Sequence, residues 1–275
     1  MLCRVLKVTR AGYYAWKKRE VSAHDIRDAE LAELICQIHA DSRGTYGVPR
    51  ILATLKRRGI STSKRRVGRL MREAGLRGIC RAKKYRDTNE KSDTSRRLSV
   101  KDLVRREFSA PAPNKVWFAD ITYVKTHQGW LFLAVVFDIY SRMIVGWAMS
   151  QHMNAELAGN ALKMAIIRRR PPSGLVHHSD HGPQYHSLLL GSTMKAQGII
   201  PSMGAISSPW DNAACESLMS TIKMECVHRR TFTTREEAKL EIFSYIETFY
   251  NTLRLHSALG YLSPTEYEQQ NCQQN

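Results

Sequence analysis

KVWFADITYV, residues 115–124, is the most strand-like stretch of this 275-residue sequence and determines its fold class. It is rich in branched and aromatic residues, which favour extended backbone. Two stretches of the same kind follow after short turns, GWLFLAVVFDI at 129–139 and RMIVGWAMS at 142–150. This spacing predicts three consecutive strands in an antiparallel meander.

Helical and extended patterns alternate after the meander. Residues 154–170 and 187–197 have helical patterns, while GLVHHSD at 174–180 and GIIPSM at 198–203 are short strands. A long helix is expected to begin near Asp211 and run toward Cys226. Adjacent strands followed by alternating helices and strands predict a mixed α/β sheet flanked by helices.

The N-terminal part has a different, all-helical pattern. Apolar residues recur at helical spacing over 25–40, and two shorter helical patterns follow, one ending at Gly59 and one at Gly75. The short turn between them, 59–62, gives a helix-turn-helix layout. The third helix carries a group of basic side chains that are suited to the major groove and its phosphates: Lys64, Arg65, Arg66, Arg69 and Arg72. The alternative is an arginine-rich surface helix pair without a role in DNA binding.

The positive charge is confined to the first part of the chain. Residues 1–106 contain 28 Lys and Arg against 11 Asp and Glu, so they hold the whole net charge of +17, and residues 107–275 are neutral. Such an excess indicates a polyanionic partner, with nucleic acid first and an anionic membrane second. We therefore expect a helical DNA-binding region at 1–76, a basic linker at 77–110, and an α/β core with a helical tail at 111–275.

Several classes of protein are excluded or disfavoured. The longest apolar run, Leu131–Phe137, is too short to span a bilayer, and the N-terminus lacks a secretory pattern. The six cysteines form no CxxC pair, which favours reduced thiols in the cytoplasm over structural zinc or disulfides. No phosphate-binding GxxxxGK[ST] loop is present, so an NTP-driven motor is unsupported.

Three acids occupy positions that suggest chemistry. Asp120 lies inside an apolar strand, where an acid is costly unless it is paired or binds a metal. Asp180 ends a strand, and Glu216 lies in the first turns of the last predicted helix, beside small residues. Carboxylates that converge repel one another unless a cation is present, and a pair of Mg²⁺ ions could activate and stabilise the oxygens of a phosphodiester. Taken singly, each acid also has a purely structural interpretation.

Other candidates are weaker. Asp138 ends a strand, and we expect it to be structural. His177, His178 and His181 are expected to form hydrogen bonds more readily than to bind a metal with Asp180.

These residues lie within longer motifs, and the chain resembles the OrfB-type transposases of bacterial insertion sequences over nearly its whole length. The matching stretches, from the N-terminal part to the tail, are SRGTYGVPRI, VWFADITYV, GWLFLAVVFDIYSRMIVGW, HHSDHGPQY, PWDNAACES and YNTLRLHSALGYLSPTEY. The 35 residues between Asp180 and Glu216 are the spacing typical of that family. The resemblance implies an RNase H-like, retroviral-integrase-like core with an Asp-Asp-Glu triad.

The resemblance also implies the activity. Asp120, Asp180 and Glu216 would be the catalytic and metal-binding residues, using Mg²⁺, with Mn²⁺ as a substitute, in 3′-end cleavage and strand transfer of DNA. Lys223, two helical turns after Glu216, would contact DNA phosphate, and Arg254 and His256 would contact DNA or pack near the site. The loop between Met203 and Pro209 lacks the basic residues frequent in the family.

The expected partners are double-stranded DNA, further copies of the chain on that DNA, and an upstream frame product joined by frameshifting. Two other functions remain open. One is a DNA-binding regulator with an inactive α/β domain, and the other is an RNase H-like nuclease that cuts without joining.

Overall fold

The fold is described from a computed structural model, which divides into two compact units, Met1–Cys80 and Arg81–Asn275. We call them the N-terminal unit and the C-terminal unit. The structure describes residues 8–18, 20–79, 100, 102–104, 109–204 and 213–272.

The N-terminal unit is helical. Its helices are α1 (Arg10–Lys18), α2 (Ala23–Asp41), α3 (Val48–Arg57) and α4 (Lys64–Glu73). The three predicted helices are thereby confirmed, and α1, which was not predicted, has no buried residue. Serine hydroxyls cap two of these helices, since Ser22 accepts from the backbone N–H of Asp25 and Ser63 from that of Arg66.

The core of the N-terminal unit is formed by apolar side chains of α2, α3 and α4. The buried residues are Leu31, Ile35, Ile38, Ile51, Leu55, Val67, Leu70 and Met71. The turn between α3 and α4 begins at Gly59, whose φ of 77° is a left-handed conformation that favours glycine. The helix-turn-helix layout predicted from the sequence is therefore present.

The C-terminal unit is built on a five-stranded sheet. Its strands are β1 (Val116–Thr126), β2 (Gly129–Asp138), β3 (Ile144–Ser150), β4 (Val176–Ser179) and β5 (Ile200–Met203). They lie in the order β3-β2-β1-β4-β5. The first three form the predicted antiparallel meander, and β4 and β5 extend it in parallel from β1. The mixed RNase H-like sheet is confirmed, and β1 is its central strand.

Helices complete the C-terminal unit. They are α5 (Ala155–Arg169), α6 (Leu188–Ala196), α7 (Ala213–Glu225), α8 (Arg235–Ser244) and α9 (Pro264–Cys272). A π-helical segment, Tyr245–Tyr250, continues α8. Asp211, near which α7 was expected to begin, lies outside the described residues.

One face of the sheet packs against α5 and α6. The core there includes Trp117 and Ala119 of β1 together with Leu162 and Ala165 of α5. Gly146 allows the close approach, because a Cβ at this position would lie 2.2 Å from the backbone oxygen of Ala161. Trp117 and Ala119 thus fix the first half of the central strand β1 by close packing against α5.

Both ends of the predicted basic linker are ordered parts of the two units. Ile79 donates its backbone N–H to the oxygen of Thr45, within the N-terminal unit. Leu103 donates to the Ser202 hydroxyl on β5, and Val104 is buried. Residues 80–99, 101 and 105–108 lie outside the described residues.

Within the described part of the chain, no helix is both long enough and apolar enough to cross a membrane.

Candidate active site

Asp120 lies in the middle of the central strand β1, opposite Val135 of β2. It is only partly exposed, and its Oδ1 accepts a hydrogen bond of 2.7 Å from the backbone N–H of Ile121. The strand therefore presents a carboxylate from an otherwise apolar environment.

Asp180 follows the end of β4, the parallel neighbour of β1. The register pairs Trp117 with His177 and Phe118 with His178, so continuing it by two residues places Asp180 beside Asp120. Asp180 is exposed, and its Oδ1 accepts from the backbone N–H of Gly182 at 3.0 Å. Asp180 thus begins a turn, which is the structural role considered for it. It also lies at the carboxyl end of a strand, where α/β sheets place their ligand-binding sites.

Glu216 is carried by the first turn of α7 and is exposed. The preceding residue, Cys215, is buried and donates from Sγ to the backbone oxygen of Ala119 at 3.7 Å. The helix can approach β1 this closely because Ala213, Ala214 and Cys215 are small. Ala119 precedes Asp120, so this contact brings the start of α7 to β1 next to Asp120.

The charges of Asp180 and Glu216 act on the carboxyl group of Asp120. Burial raises the pKa of Asp120 to about 7, and the Asp180 carboxylate adds to the rise. Glu216 acts in the same direction more weakly, while Lys223 opposes it. The structure therefore brings together the three acids that the sequence analysis singled out.

The donor set fits a hard divalent cation in an open site. Among the described residues, no three His, Cys, Asp or Glu side chains form a ready-made metal cage. Mg²⁺ rarely needs one, since it usually binds through one or two carboxylates and fills its other positions with water and phosphate oxygens. Asp180 and Glu216, whose charges help to raise the pKa of Asp120, offer with it the negative charge that such an ion would neutralise.

Lys223 lies on the same helix as Glu216, and its Nζ is 4.7 Å from the centroid of the Tyr123 ring. Since it also lowers the pKa of Asp120, this ammonium group is close to the acids. It is placed to meet a phosphate that approaches them.

The neighbouring histidines form structural contacts. His178 is buried and bonds through Nδ1 to the Ser202 hydroxyl at 2.9 Å, and His181 bonds through Nε2 to the Gly204 oxygen at 2.6 Å. His177 is also buried, 6.3 Å from the Tyr185 ring. The expected hydrogen bonds are thus present for His178 and His181, and the expectation that these histidines do not bind a metal stays a prediction.

Asp138 is structural as expected. It is fully buried and accepts from the backbone N–H groups of Asn114 and Tyr140 at 2.6 and 3.0 Å.

Arg254 is buried beside the end of α7. Its guanidinium forms two hydrogen bonds of 2.6 Å to the buried carboxylate of Glu225, at the end of α7. Tyr245 donates to the same carboxylate at 3.0 Å. Of the two roles considered for Arg254, the structure favours packing.

The basic residues of α4 separate into two groups. Arg66 and Arg69 both bind the largely buried carboxylate of Asp28 on α2. Lys64 and Arg65 are exposed at the start of the helix. The first pair joins α2 to α4, and the second is available to a ligand.

Sequence reasoning missed two aromatic residues near Lys223, Tyr123 and Trp130, which are exposed at the end of the β1–β2 hairpin. An aromatic residue at a solvent-facing position of a strand could have indicated this surface. Which positions face solvent is known only once the strand register is known. The loop 205–212, expected to lack basic contacts, lies outside the described residues.

Comparison with known proteins defines the class first. Residues 110–209 and 216–272 match two models of an integrase core domain, and residues 25–84 match an HTH-like domain. A chain of the simian T-cell lymphotropic virus intasome is similar with a TM-score of 0.48 at 14% identity, covering 85% of this chain and 74% of its own. The class is that of the DDE polynucleotidyl transferases.

Two bacterial relatives then identify the family. A transposase for insertion sequence element IS904 of Lactococcus lactis is 41% identical over 92% of this chain and 99% of its own length. Transposase InsF for insertion sequence IS3A of Escherichia coli is 37% identical over 98% of this chain and 93% of its own length. The chain belongs to the insertion-sequence transposases of the IS3 family.

Proposed function

We propose that this transposase binds the ends of its own element and carries out 3′-end cleavage and strand transfer at Asp120, Asp180 and Glu216. The observation that supports this most is the convergence of three acids from β1, the end of β4 and the start of α7. Each belongs to a different element, and each has a structural interpretation when taken alone. Together they form an open acidic site beside a lysine.

The three carboxylates would hold two Mg²⁺ ions, or Mn²⁺ in their place. When bound, such a pair activates the attacking oxygen and stabilises the leaving one. The chain's own contribution is to fix the three carboxylates on a packed sheet and a packed helix. Asp120 is positioned by the core of β1, and Glu216 by the contact of Cys215 with Ala119.

The reaction has two transfers of the same kind. Water first attacks the phosphodiester at the element end, the bond to the 3′ oxygen breaks, and a 3′-hydroxyl is released. That hydroxyl then attacks a phosphodiester of the target, and the new bond forms as the old one breaks. Lys223 would bind a phosphate beside the acids and so orient the strand in both steps.

The N-terminal unit would supply binding to the element ends. Lys64 and Arg65 are exposed at the start of α4, the second helix of the helix-turn-helix layout. Side chains at this end of a recognition helix reach base edges and phosphates in the major groove. We further propose that several copies act together on DNA in the bacterial cytoplasm, with the upstream frame product as a possible fusion partner.

The test uses the full chain and a labelled duplex that carries the terminal sequence of its own element. With Mg²⁺, the wild-type protein should cut the end and join a pre-cut end to a target. Asp180→Asn should abolish both reactions, by a factor of a thousand or more in rate, and leave end binding largely intact. Asp138→Asn would be a poor control because that residue is buried, so Glu236→Gln, at an exposed site on α8, serves instead.

The outcomes separate the functions. Full cleavage and joining by Asp180→Asn would refute the assignment of the acids. Cleavage without joining by the wild-type protein would indicate a nuclease, and binding without any metal-dependent reaction would indicate a regulator.

A further inference from the structure

The β1–β2 hairpin exposes a pair of aromatic side chains. Tyr123 is 56% and Trp130 47% exposed, although both lie in strands of the central sheet. Their rings meet edge to face, with centroids 5.1 Å apart and an interplanar angle of 83°. Because the two rings are nearly perpendicular, the pair forms an L-shaped apolar surface, which we call the aromatic platform.

The backbone under the aromatic platform is held firmly. Thr126 donates its hydroxyl to the oxygen of Gly129 at 2.7 Å, which closes the turn. His127 donates its N–H to the oxygen of Phe232, and Arg235 donates from Nε to the oxygen of Trp130, both at 3.0 Å. These contacts hold the backbone of the hairpin in place. The backbone in turn positions the two rings before a ligand binds.

Two lysines border the aromatic platform. Lys223 places its Nζ 4.7 Å from the centroid of the Tyr123 ring. Lys125 is exposed and pairs across the sheet with Trp130, and it lies on the same face as Tyr123 because side chains two residues apart share a face. The platform therefore combines ring faces with positive charge, which is the combination that binds single-stranded nucleic acid.

Lys223 also connects the platform to the acids, since Glu216 lies about two helical turns before it on α7. Tyr123 lies three residues after Asp120, about 10 Å along β1, and points to the other face of the strand, so Lys223 is the group that the platform and the acids share. A protein partner fits less well, because two rings between lysines form a much smaller apolar patch than protein interfaces use.

We infer that Tyr123 and Trp130 bind an unpaired base of the DNA strand next to the reacting phosphodiester, while Lys223 and Lys125 bind its phosphates. This inference rests on the proposed function and adds a specificity-determining surface to it. An unpaired base at the element end would be held out of the duplex by stacking, so that the backbone can enter the site.

The test compares two fluorescein-labelled duplexes of the same sequence, one blunt and one with a short single-stranded thymidine tail, in EDTA. The wild-type protein should bind the tailed duplex more tightly. Tyr123→Ala and Trp130→Ala should each weaken that binding about fivefold or more and leave the blunt duplex unchanged. Tyr123→Phe should keep the wild-type affinity because it keeps the ring. Ile167→Ala, an exposed apolar residue on α5, is the control for a surface truncation.

A second readout reports stacking directly. With 2-aminopurine in the tail, its fluorescence should be quenched by the wild-type protein and by Tyr123→Phe, and recovered in Tyr123→Ala. Equal binding of the tailed duplex by the wild-type protein and both alanine variants, with unchanged quenching, would overturn the inference.

Failure of the inference is distinguishable from failure of the proposed function. Asp180→Asn, which removes an acid, should bind and quench the tail like the wild-type protein. If the alanine variants match the wild-type protein while Asp180→Asn still loses cleavage, the platform is refuted and the acid site stands. If Asp180→Asn retains cleavage, the proposed function fails, whatever the binding and quenching of the tailed duplex show.

Discussion

At the scale of single residues, Asp120 is a carboxylate in an apolar strand beside two other acids. Burial and Asp180 raise its pKa from an ordinary 3.8 to about 7. The folded protein therefore binds more protons than the unfolded chain between these values. Without divalent cations, the free energy of unfolding should fall as pH rises between these two pKa values. The full loss of stability should be present above pH 7.

Asp120→Asn should remove this penalty. In EDTA at pH 8 the variant should be more stable than the wild-type protein, by on the order of a few kcal/mol, and the difference should shrink toward pH 4. Thermal and urea unfolding at several pH values measure it. A variant that is no more stable than the wild-type protein at pH 8 would show that Asp120 carries no electrostatic cost.

The sequence could single out Asp120 because an acid inside KVWFADITYV breaks an apolar pattern. It could not assign Arg254, whose partner Glu225 lies 29 residues away in the chain. A basic residue looks the same in sequence whether it binds DNA or a buried carboxylate. The same ambiguity applies to Arg66 and Arg69, which Asp28 holds.

At the scale of elements, α7 is fixed near both ends. Near its start, Cys215 contacts β1, and at its end Glu225 forms a buried ion pair with Arg254. A buried charge that loses its partner is strongly destabilising, whereas replacing both partners with apolar groups is often tolerated.

Glu225→Gln should therefore lower the free energy of unfolding by about 3–5 kcal/mol, because the Arg254 guanidinium stays buried without its counter-charge. The double variant Glu225→Leu with Arg254→Met should lose less than Glu225→Gln alone. Chemical unfolding of the three proteins tests this, and a double variant less stable than the single one would contradict it.

The five strands and the helices α2 to α7 followed from periodicity, whereas α1 was not predicted and α8 and α9 were expected only as a helical tail. The π-helical segment Tyr245–Tyr250 did not, since its buried residues are spaced as in an ordinary helix. The close approach of α7 to β1 was suggested only by the small residues around Cys215.

At the scale of the whole molecule, the charge is divided between a basic N-terminal part and a neutral core. The division predicts that DNA affinity depends on salt mainly through residues 1–106, which hold the whole net charge. Only part of the basic surface of the N-terminal unit is available, because Asp28 engages Arg66 and Arg69.

Lys64→Ala combined with Arg65→Ala should weaken binding to duplex DNA and reduce the slope of log affinity against log salt by about 2, since each lost phosphate contact removes about 0.9. Thermal stability should be unchanged. Arg69→Ala is the matched comparison: it should lower the melting temperature of the N-terminal unit, because Asp28 loses a partner. Equal salt slopes for the double variant and the wild-type protein would place the DNA contacts elsewhere.

The net charge of the sequence alone predicts a nucleic-acid partner. It does not show which surface of the protein contacts that partner. That surface depends on which basic side chains are already paired with acidic side chains of the protein. Such pairs join residues far apart in the chain, such as Asp28 and Arg69.

Anomalous diffraction from crystals of the protein soaked in Mn²⁺ tests the central claim most directly. We predict two manganese peaks bounded by the carboxylates of Asp120, Asp180 and Glu216, and their loss in crystals of Asp180→Asn. Saturating Mn²⁺ with no peak among these three side chains, or peaks only at other acids, would contradict the account.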